Sequence, residues 1–99
     1  MHARVTTFEG PVEAFEEGVQ QARDQILPAV RQLAGFKGMY LLADRGSGKA
    51  LAITLWESEE ALRASEEAAN RLRQQSAATM GEEIRAVDRY EVVVAELEG

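Results

Sequence analysis

The sequence predicts an α+β fold of order βαββαβ, the ferredoxin-like arrangement in which a four-stranded antiparallel sheet carries two helices on one face. Three observations support this prediction. Two long segments place apolar residues at helical spacing, and four shorter segments around them are rich in β-branched and aromatic residues. The chain has 99 residues, which is the size of one domain, so we expect residues 1–99 to form a single domain.

The first half of the chain predicts a strand followed by one amphipathic helix. The strand covers residues 3–8, and Pro11 suits the first turn of a helix, where its missing N–H is not needed for a hydrogen bond. The helix has an apolar stripe with spacings of three and four, formed by Val12, Phe15, Val19, Ala22, Ile26, Val30 and Leu33. Pro28 lies within this pattern and predicts a kink near Leu27, and Gly35 predicts the helix end.

The middle of the chain predicts a β-hairpin. Its strands cover residues 36–43 and 50–56, and the polar segment 44–49 forms the turn. Part of this turn, Gly46-Ser47-Gly48-Lys49, is similar to a phosphate-binding loop. That pattern requires Gly at position 43 and Ser or Thr at position 50, and both positions hold alanine. The segment is therefore interpreted as a hairpin turn.

A second helix and a last strand complete the predicted order. Ser58 is a suitable N-cap for a helix over residues 59–80, and Gly81 predicts its end. The last strand is expected over residues 84–97, which is long for a domain of this size.

Both faces of the predicted sheet are apolar. Antiparallel strands with one face in water alternate apolar and polar residues, but residues 39–43, 51–53 and 92–95 are apolar at consecutive positions. Two helices cover only one face, so another surface must cover the second. We expect the same face of a second subunit, which gives a two-fold homodimer. The alternatives are another protein, or a partly exposed apolar patch.

Composition excludes several classes of function. The net charge of −6 disfavours binding to nucleic acid and to anionic membranes, so neither is an expected partner. The absence of cysteine excludes disulfides, thiolate metal sites and a cysteine nucleophile. No segment has the length and hydrophobicity of a signal peptide or a membrane span, and we therefore expect a cytoplasmic protein.

Three segments carry a family resemblance. They are Ile26-Leu27-Pro28-Ala29-Val30, Gly35-Phe36-Lys37-Gly38-Met39-Tyr40, and Leu55-Trp56-Glu57-Ser58-Glu59-Glu60-Ala61-Leu62. Together they resemble the antibiotic biosynthesis monooxygenase-like (ABM) family of the dimeric α+β barrel superfamily. The resemblance implies a homodimer whose two sheets face each other to form a barrel, and a ligand cavity in each subunit between sheet and helices.

The resemblance also bears on haem. Haem-degrading members of the family use an Asn on the first strand, a Trp at the end of the third strand, and a His on the second helix as the iron ligand. Trp56 matches the Trp, but the first strand offers Thr6 and Thr7, and the helix position holds Ser65 or Glu66. Without the axial His, haem degradation by that mechanism is not expected, and we predict no cofactor.

No catalytic constellation is visible in the sequence, so the catalytic residues remain unknown. His2, the only histidine, lies at the terminus, and we predict no metal site around it. The paired acids Glu16-Glu17, Glu66-Glu67 and Glu82-Glu83 are interpreted as solvated helix faces, because adjacent helical residues point about 100° apart.

Two functional hypotheses remain open. In the first, the homodimer binds or oxidises a small hydrophobic or aromatic molecule as a cofactor-independent monooxygenase, and Tyr40, Thr54 and Trp56 are the candidate pocket-lining residues. The substrate's own carbanion would then supply the electron to oxygen, so the protein need only bind, deprotonate and exclude water. In the second, the chain is a non-catalytic structural or regulatory dimer, and the same side chains are simply packed.

Overall fold

The computed structural model describes residues 1–97, and its strands and helices follow the predicted βαββαβ order. The strands are β1 (His2–Glu9), β2 (Phe36–Asp44), β3 (Lys49–Trp56) and β4 (Glu83–Glu91). The first helical segment consists of a 3₁₀ turn (Val12–Ala14), α1 (Phe15–Gln21), a π-helical turn (Ala22–Ile26) and α2 (Leu27–Arg31). The second consists of α3 (Glu59–Ala64) and α4 (Glu66–Met80).

The four strands form one antiparallel sheet in the order β2-β3-β1-β4, which confirms the predicted ferredoxin-like fold. Pairing sets the face on which each residue lies. Thr54 is opposite Arg4 of β1 and opposite Met39 of β2, so these three residues share the face that the helices cover. The next row, in which Ile53 is opposite Val5 and Tyr40, lies on the other face because strand residues alternate.

The π-helical turn lies where the sequence predicts a kink. Leu27 N–H donates to the carbonyl of Ala22, five residues earlier, in the turn directly before Pro28. Proline clashes with the carbonyl four residues before it and has no N–H to donate. A wider turn at this point relieves that conflict, so the helical segment continues to Arg31.

The second helix begins as predicted but is interrupted. Ser58 Oγ accepts a 3.0 Å hydrogen bond from the N–H of Ala61, so Ser58 is the N-cap. The single predicted helix is divided at Ser65, whose hydroxyl donates to the carbonyl of Leu62 at 2.7 Å. Arg4 donates to the same carbonyl, which is thereby diverted from regular helical hydrogen bonding.

The last strand is shorter than predicted. It ends at Glu91, whereas the sequence pattern suggested residues up to Leu97. Glu91 is opposite His2, and the final bond between the two strands runs from the N–H of Val92 to the carbonyl of Met1. β4 therefore ends because it passes the beginning of its partner strand. Val93, Val94 and Leu97 beyond it are largely exposed.

The apolar core lies between the sheet and the helices in two clusters. One contains Phe8, Ala50 and Ala77, and the other contains Val30, Trp56 and Leu62. On the opposite face, Tyr40 and Leu42 are each 47% exposed. An apolar surface therefore remains uncovered on that face of the single chain. Within residues 1–97, no helix is long and apolar enough to cross a membrane.

Candidate functional site

A cavity opens between the helix-covered face of the sheet and the two helical segments. It has about 110 Å³ of volume open to water-sized molecules, enough for on the order of eight waters. Most of its wall is apolar, and the larger apolar side chains are Phe8, Phe15, Val19, Ile26, Val30, Leu33, Met39, Leu41 and Leu72. The polar or ionisable side chains in its wall, apart from the indole of Trp56, are Arg4, Thr6, Thr54, Arg73, Ser76 and Glu82.

Two of the three residues proposed from the sequence line this cavity. Thr54 and Trp56 lie in its wall, on the helix-covered face of β3. Tyr40 does not, because it is opposite Ile53 and therefore lies on the other face of the sheet. The expected set of Tyr40, Thr54 and Trp56 is thus divided by the alternation of strand residues, and Tyr40 belongs to the uncovered apolar surface.

Trp56 is a fully buried part of the cavity wall. Its side chain is 0% exposed, and its indole N–H donates a 3.0 Å hydrogen bond to Thr54 Oγ1. The ring of Phe36 packs against it edge to face, with the ring centroids 5.8 Å apart. The guanidinium of Arg4 lies 5.6 Å from the centroid of the indole ring, within cation–π range. Trp56 is therefore both a core residue and part of the wall.

Arg4 is the most deeply buried charge in the site. It is 2% exposed, and its Nη2 donates to Leu62 O (2.9 Å), Ser65 Oγ (2.9 Å) and Glu66 Oε1 (2.8 Å). Its Nε is buried and has no hydrogen-bond partner among the described residues. A buried donor without an acceptor is energetically unfavourable, so the protein leaves this cation incompletely satisfied.

Glu66 is shared between two arginines. Its Oε1 and Oε2 accept hydrogen bonds of 2.7 and 2.6 Å from Nε and Nη2 of Arg89, in addition to the bond from Arg4. The hydrogen bond from Arg89, together with that from Arg4, lowers the pKa of Glu66 from 4.5 to about 2. Glu66 is therefore ionised at neutral pH, and it supplies one negative charge for two positive ones.

Arg73 and Glu82 are cavity residues that sequence reasoning missed. Burial, followed by the charge of Arg4, lowers the pKa of Arg73, and burial raises the pKa of Glu82. Glu82 was interpreted from the sequence as part of a solvated pair with Glu83, but Gly81 ends α4 and places Glu82 in the connection to β4. No local sequence signal distinguishes these two residues from the other charged residues of the chain.

The positions that would bind haem in the resembling enzymes have a different role here. Thr6, one of the two threonines that the first strand offers in place of the expected Asn, lines the cavity. The hydroxyl of Ser65 is engaged by Arg4 and by the carbonyl of Leu62, and Glu66 is engaged by Arg4 and Arg89. These residues do not fit an axial iron ligand, since neither supplies an imidazole and both are already hydrogen-bonded.

His2 lies outside the cavity, in a separate groove whose lining includes residues of α3, α4 and β4. Its Nε2 is 3.7 Å from Glu59 Oε2, so the fold does bring one carboxylate to it. Among residues 1–97, no three His, Cys, Asp or Glu side chains come together in a group that could hold a metal ion.

The chain is similar to known proteins in family, sequence and fold. The model of the family described as antibiotic biosynthesis monooxygenase matches residues 1–77. The uncharacterised protein Rv2557 of Mycobacterium tuberculosis is 35% identical over 92 residues, which are 93% of this chain and 41% of that protein. The uncharacterised protein Rv2558 of the same organism is 38% identical over 77 residues, 78% of this chain and 33% of that protein. The chain thus spans less than half the length of these curated relatives.

Solved structures of similar fold cover almost the whole chain. A monooxygenase from the gene ActVA-Orf6 of Streptomyces coelicolor, in complex with nanaomycin D, has a TM-score of 0.73 at 18% identity, covering 99% of this chain and 92% of its own. The haem degrader MhuD of M. tuberculosis, with two haems in its active site, has a TM-score of 0.69 at 24% identity, covering 97% and 99%. A dimeric ferredoxin-like protein from an uncultured marine organism has a TM-score of 0.73 at 11% identity, covering 99% and 100%. At these identities the likeness establishes the fold alone.

Proposed function

The chain belongs to the antibiotic biosynthesis monooxygenase family, and from this premise we propose that it binds a small hydrophobic or aromatic molecule in the cavity between sheet and helices. The observation that carries the proposal is the cavity itself. Its wall is mostly apolar with a few polar groups, which is the usual composition of a small-molecule site. Its volume suits a ligand of two or three fused rings.

The reaction we propose is oxidation of the bound molecule by molecular oxygen without a bound cofactor. Such chemistry requires a substrate with an acidic C–H or O–H, whose anion transfers an electron to oxygen. Glu82 is the carboxylate in the cavity wall, and burial raises its pKa, which makes the ionised carboxylate a stronger base. Glu82 is therefore the candidate base. Trp56 and Thr54 form part of the wall around the ligand, and the apolar side chains of the wall exclude water.

We propose further that the protein works as a homodimer. Tyr40, Leu42 and Ile53 lie on the apolar face of the sheet that the helices do not cover. A second copy of the same face would bury this surface around a two-fold axis. One protein of similar fold is described as dimeric, which supports this assembly.

Binding and oxidation are tested with anthrone, a three-ring ketone with an acidic CH₂ group. Oxidation converts anthrone and one O₂ into anthraquinone and one H₂O, so both oxygen consumption and anthraquinone formation are measurable. Ala52 lies in the middle of the cavity wall, and Ala52→Phe fills the cavity. Ala78→Phe, on the exposed side of α4, adds the same ring outside the cavity. We expect Ala52→Phe to abolish anthrone binding and Ala78→Phe to retain it. Equal binding by both variants would overturn the cavity as the site.

Glu82→Gln separates binding from chemistry. We expect this variant to bind anthrone and to lose the acceleration of anthraquinone formation, because the amide cannot take the proton. A native protein that binds anthrone but never accelerates its oxidation would leave ligand binding as the function, in agreement with a non-catalytic role.

The assembly is tested by native mass spectrometry. We expect twice the 10.9 kDa mass of the chain for the native protein, and the monomer mass for Ile53→Asp, which places a charge in the middle of the apolar face. Gln74→Asp, on the exposed surface of α4, is the control and is expected to remain dimeric. A monomeric native protein would overturn the proposed homodimer.

A further inference from the structure

One end of the cavity carries an excess of positive charge. Arg4 and Arg73 both line this end, with Trp56 beside them. Arg4 projects from β1 and Arg73 from α4, so the two cations approach the cavity from its two opposite walls. Most of the surrounding wall is apolar, which weakens solvent screening of their charges.

The charges around Arg73 do not balance. The groups that influence its pKa are Arg4 and Arg89, which lower it, and Glu66, which raises it. Glu66 is the single carboxylate in this set, and its two oxygens are already bonded to Arg4 and Arg89. Asp88 also acts on Arg89, so three arginines and two carboxylates leave one positive charge uncompensated around this end of the cavity.

The hydrogen-bonding groups at this end are also incompletely used. Nε of Arg4 is buried without a partner among the described residues. Arg73 is half-buried, and its Nη2 donates to the neighbouring Asn70 Oδ1 at 3.1 Å. A guanidinium has five N–H donors, so Arg73 retains donors for an acceptor in the cavity.

We propose that the molecule bound in the cavity carries an anionic oxygen, held by Arg73 with the charge of Arg4 behind it, and that its apolar rings extend along the wall away from Trp56. This inference rests on the proposed binding function and specifies the ligand class as aromatic oxyanions, namely carboxylates and phenolates or enolates. An anion at this position completes the charge balance of the arginine group and accepts hydrogen bonds from a cation in a mostly apolar surrounding, where such bonds are strong.

The carboxyl group of Glu82 does not supply this anion. Glu82 lies beside Gly10, just beyond the other end of β1, and Gly10 follows Arg4 by six positions, which is roughly 20 Å along a strand. The cavity is therefore polarised, with cations at one end and a carboxyl group at the other.

The test compares 2-naphthoate with 2-naphthalenemethanol by isothermal titration calorimetry at neutral pH. The two probes share the same rings, but only the first is charged. Arg73→Met removes the cavity cation, and Arg71→Met removes an exposed cation two residues earlier on the same helix, which pairs with Glu67 outside the cavity. Arg73→Lys keeps the charge with a different geometry.

We expect 2-naphthoate to bind the native protein at least about tenfold more tightly than 2-naphthalenemethanol, since a charge-assisted hydrogen bond contributes at least that factor. Arg73→Met is expected to lose this preference and to bind the alcohol unchanged. Arg73→Lys should recover part of the preference, and Arg71→Met should retain all of it.

The other outcomes overturn the inference in distinguishable ways. If the native protein binds both probes equally, the cavity binds aromatic molecules but does not select anions. If Arg71→Met weakens 2-naphthoate as much as Arg73→Met does, the attraction comes from the general surface charge. If neither probe binds the native protein, the proposed binding function fails together with this inference.

Discussion

Arg4 of β1 and Glu66 of α4 form a 2.8 Å hydrogen-bonded ion pair that links a central strand of the sheet to the helix above it. Glu66 continues the link to Arg89 of β4. Two neighbouring strands are thus connected through one carboxylate on the helix. The pair also fixes Arg4 beside Trp56, at the cationic end of the cavity.

Removing the carboxylate of this link destabilises the fold. In Glu66→Ala, Arg4 remains buried without its counter-ion, which we expect to lower the free energy of unfolding by about 3 kcal/mol. Glu67→Ala is the control, because that neighbouring side chain is 91% exposed and pairs with Arg71 on the surface. We expect a change below about 0.5 kcal/mol for Glu67→Ala. Urea denaturation measures both, and equal effects would mean that the Arg4 pair does not stabilise the fold.

The same carboxylate makes stability depend on pH. Its pKa falls from 4.5 in the unfolded chain to about 2 in the folded protein, so the unfolded state binds its proton first as the pH decreases. The contribution of Glu66 is therefore fully present above pH 4.5 and is lost as the pH falls from 4.5 to about 2. We expect the difference in unfolding free energy between native protein and Glu66→Gln to shrink across this window. A difference that stays constant would contradict the lowered pKa.

Thr54 supports the indole of Trp56. Thr54→Val keeps the shape of the side chain but removes the acceptor of the 3.0 Å bond from the indole N–H, which we expect to cost about 1–2 kcal/mol of stability. Trp56 is the only tryptophan, so its fluorescence is a second readout, and loss of the hydrogen bond should shift its emission to shorter wavelength. Thr79→Val, on the exposed surface of α4, serves as the control for the substitution itself. Identical emission in native protein and Thr54→Val would argue against this bond.

The hairpin turn contains two glycines, Gly46 and Gly48, and only position 48 requires glycine. Gly48 has φ +81°, and an added Cβ would collide with the carbonyl oxygen of Gly10. This oxygen belongs to the backbone, so it cannot move aside as the end of a flexible side chain could. We expect Gly48→Ala to destabilise the protein by about 2 kcal/mol or more. Gly46→Ala is the matched control, since the nearest atom to its added Cβ is Asp44 Oδ1 at 3.4 Å. Thermal unfolding distinguishes the two, and equal melting temperatures would refute the requirement.

The helical half of the cavity could be anticipated better than the sheet half. The stripe from Phe15 to Leu33 supplies most of the lining that comes from the first helical segment, because a period of 3.6 residues defines one face without further information. The face on which Tyr40 lies depends on the register of the hairpin. A shift by one residue moves every side chain of a strand to the opposite face. The face of Tyr40 therefore does not follow from the spacing of apolar residues, as the cavity-facing side of the helix does.

Local patterns in the chain predict the order of the elements, the apolar stripe of the first helical segment, the N-cap at Ser58 and the two apolar sheet faces, because periodicity, capping and turn chemistry are local properties. Three other features become visible only once the elements are packed: Arg4 meets Ser65 and Glu66, Arg73 and Glu82 face the cavity, and β4 ends at Glu91. The Arg4–Glu66 pair joins residues 62 positions apart in the chain, and the end of β4 depends on pairing of Glu91 with His2 near the start of the chain. Their pairing depends on how strands and helices are placed together, and no local pattern encodes it.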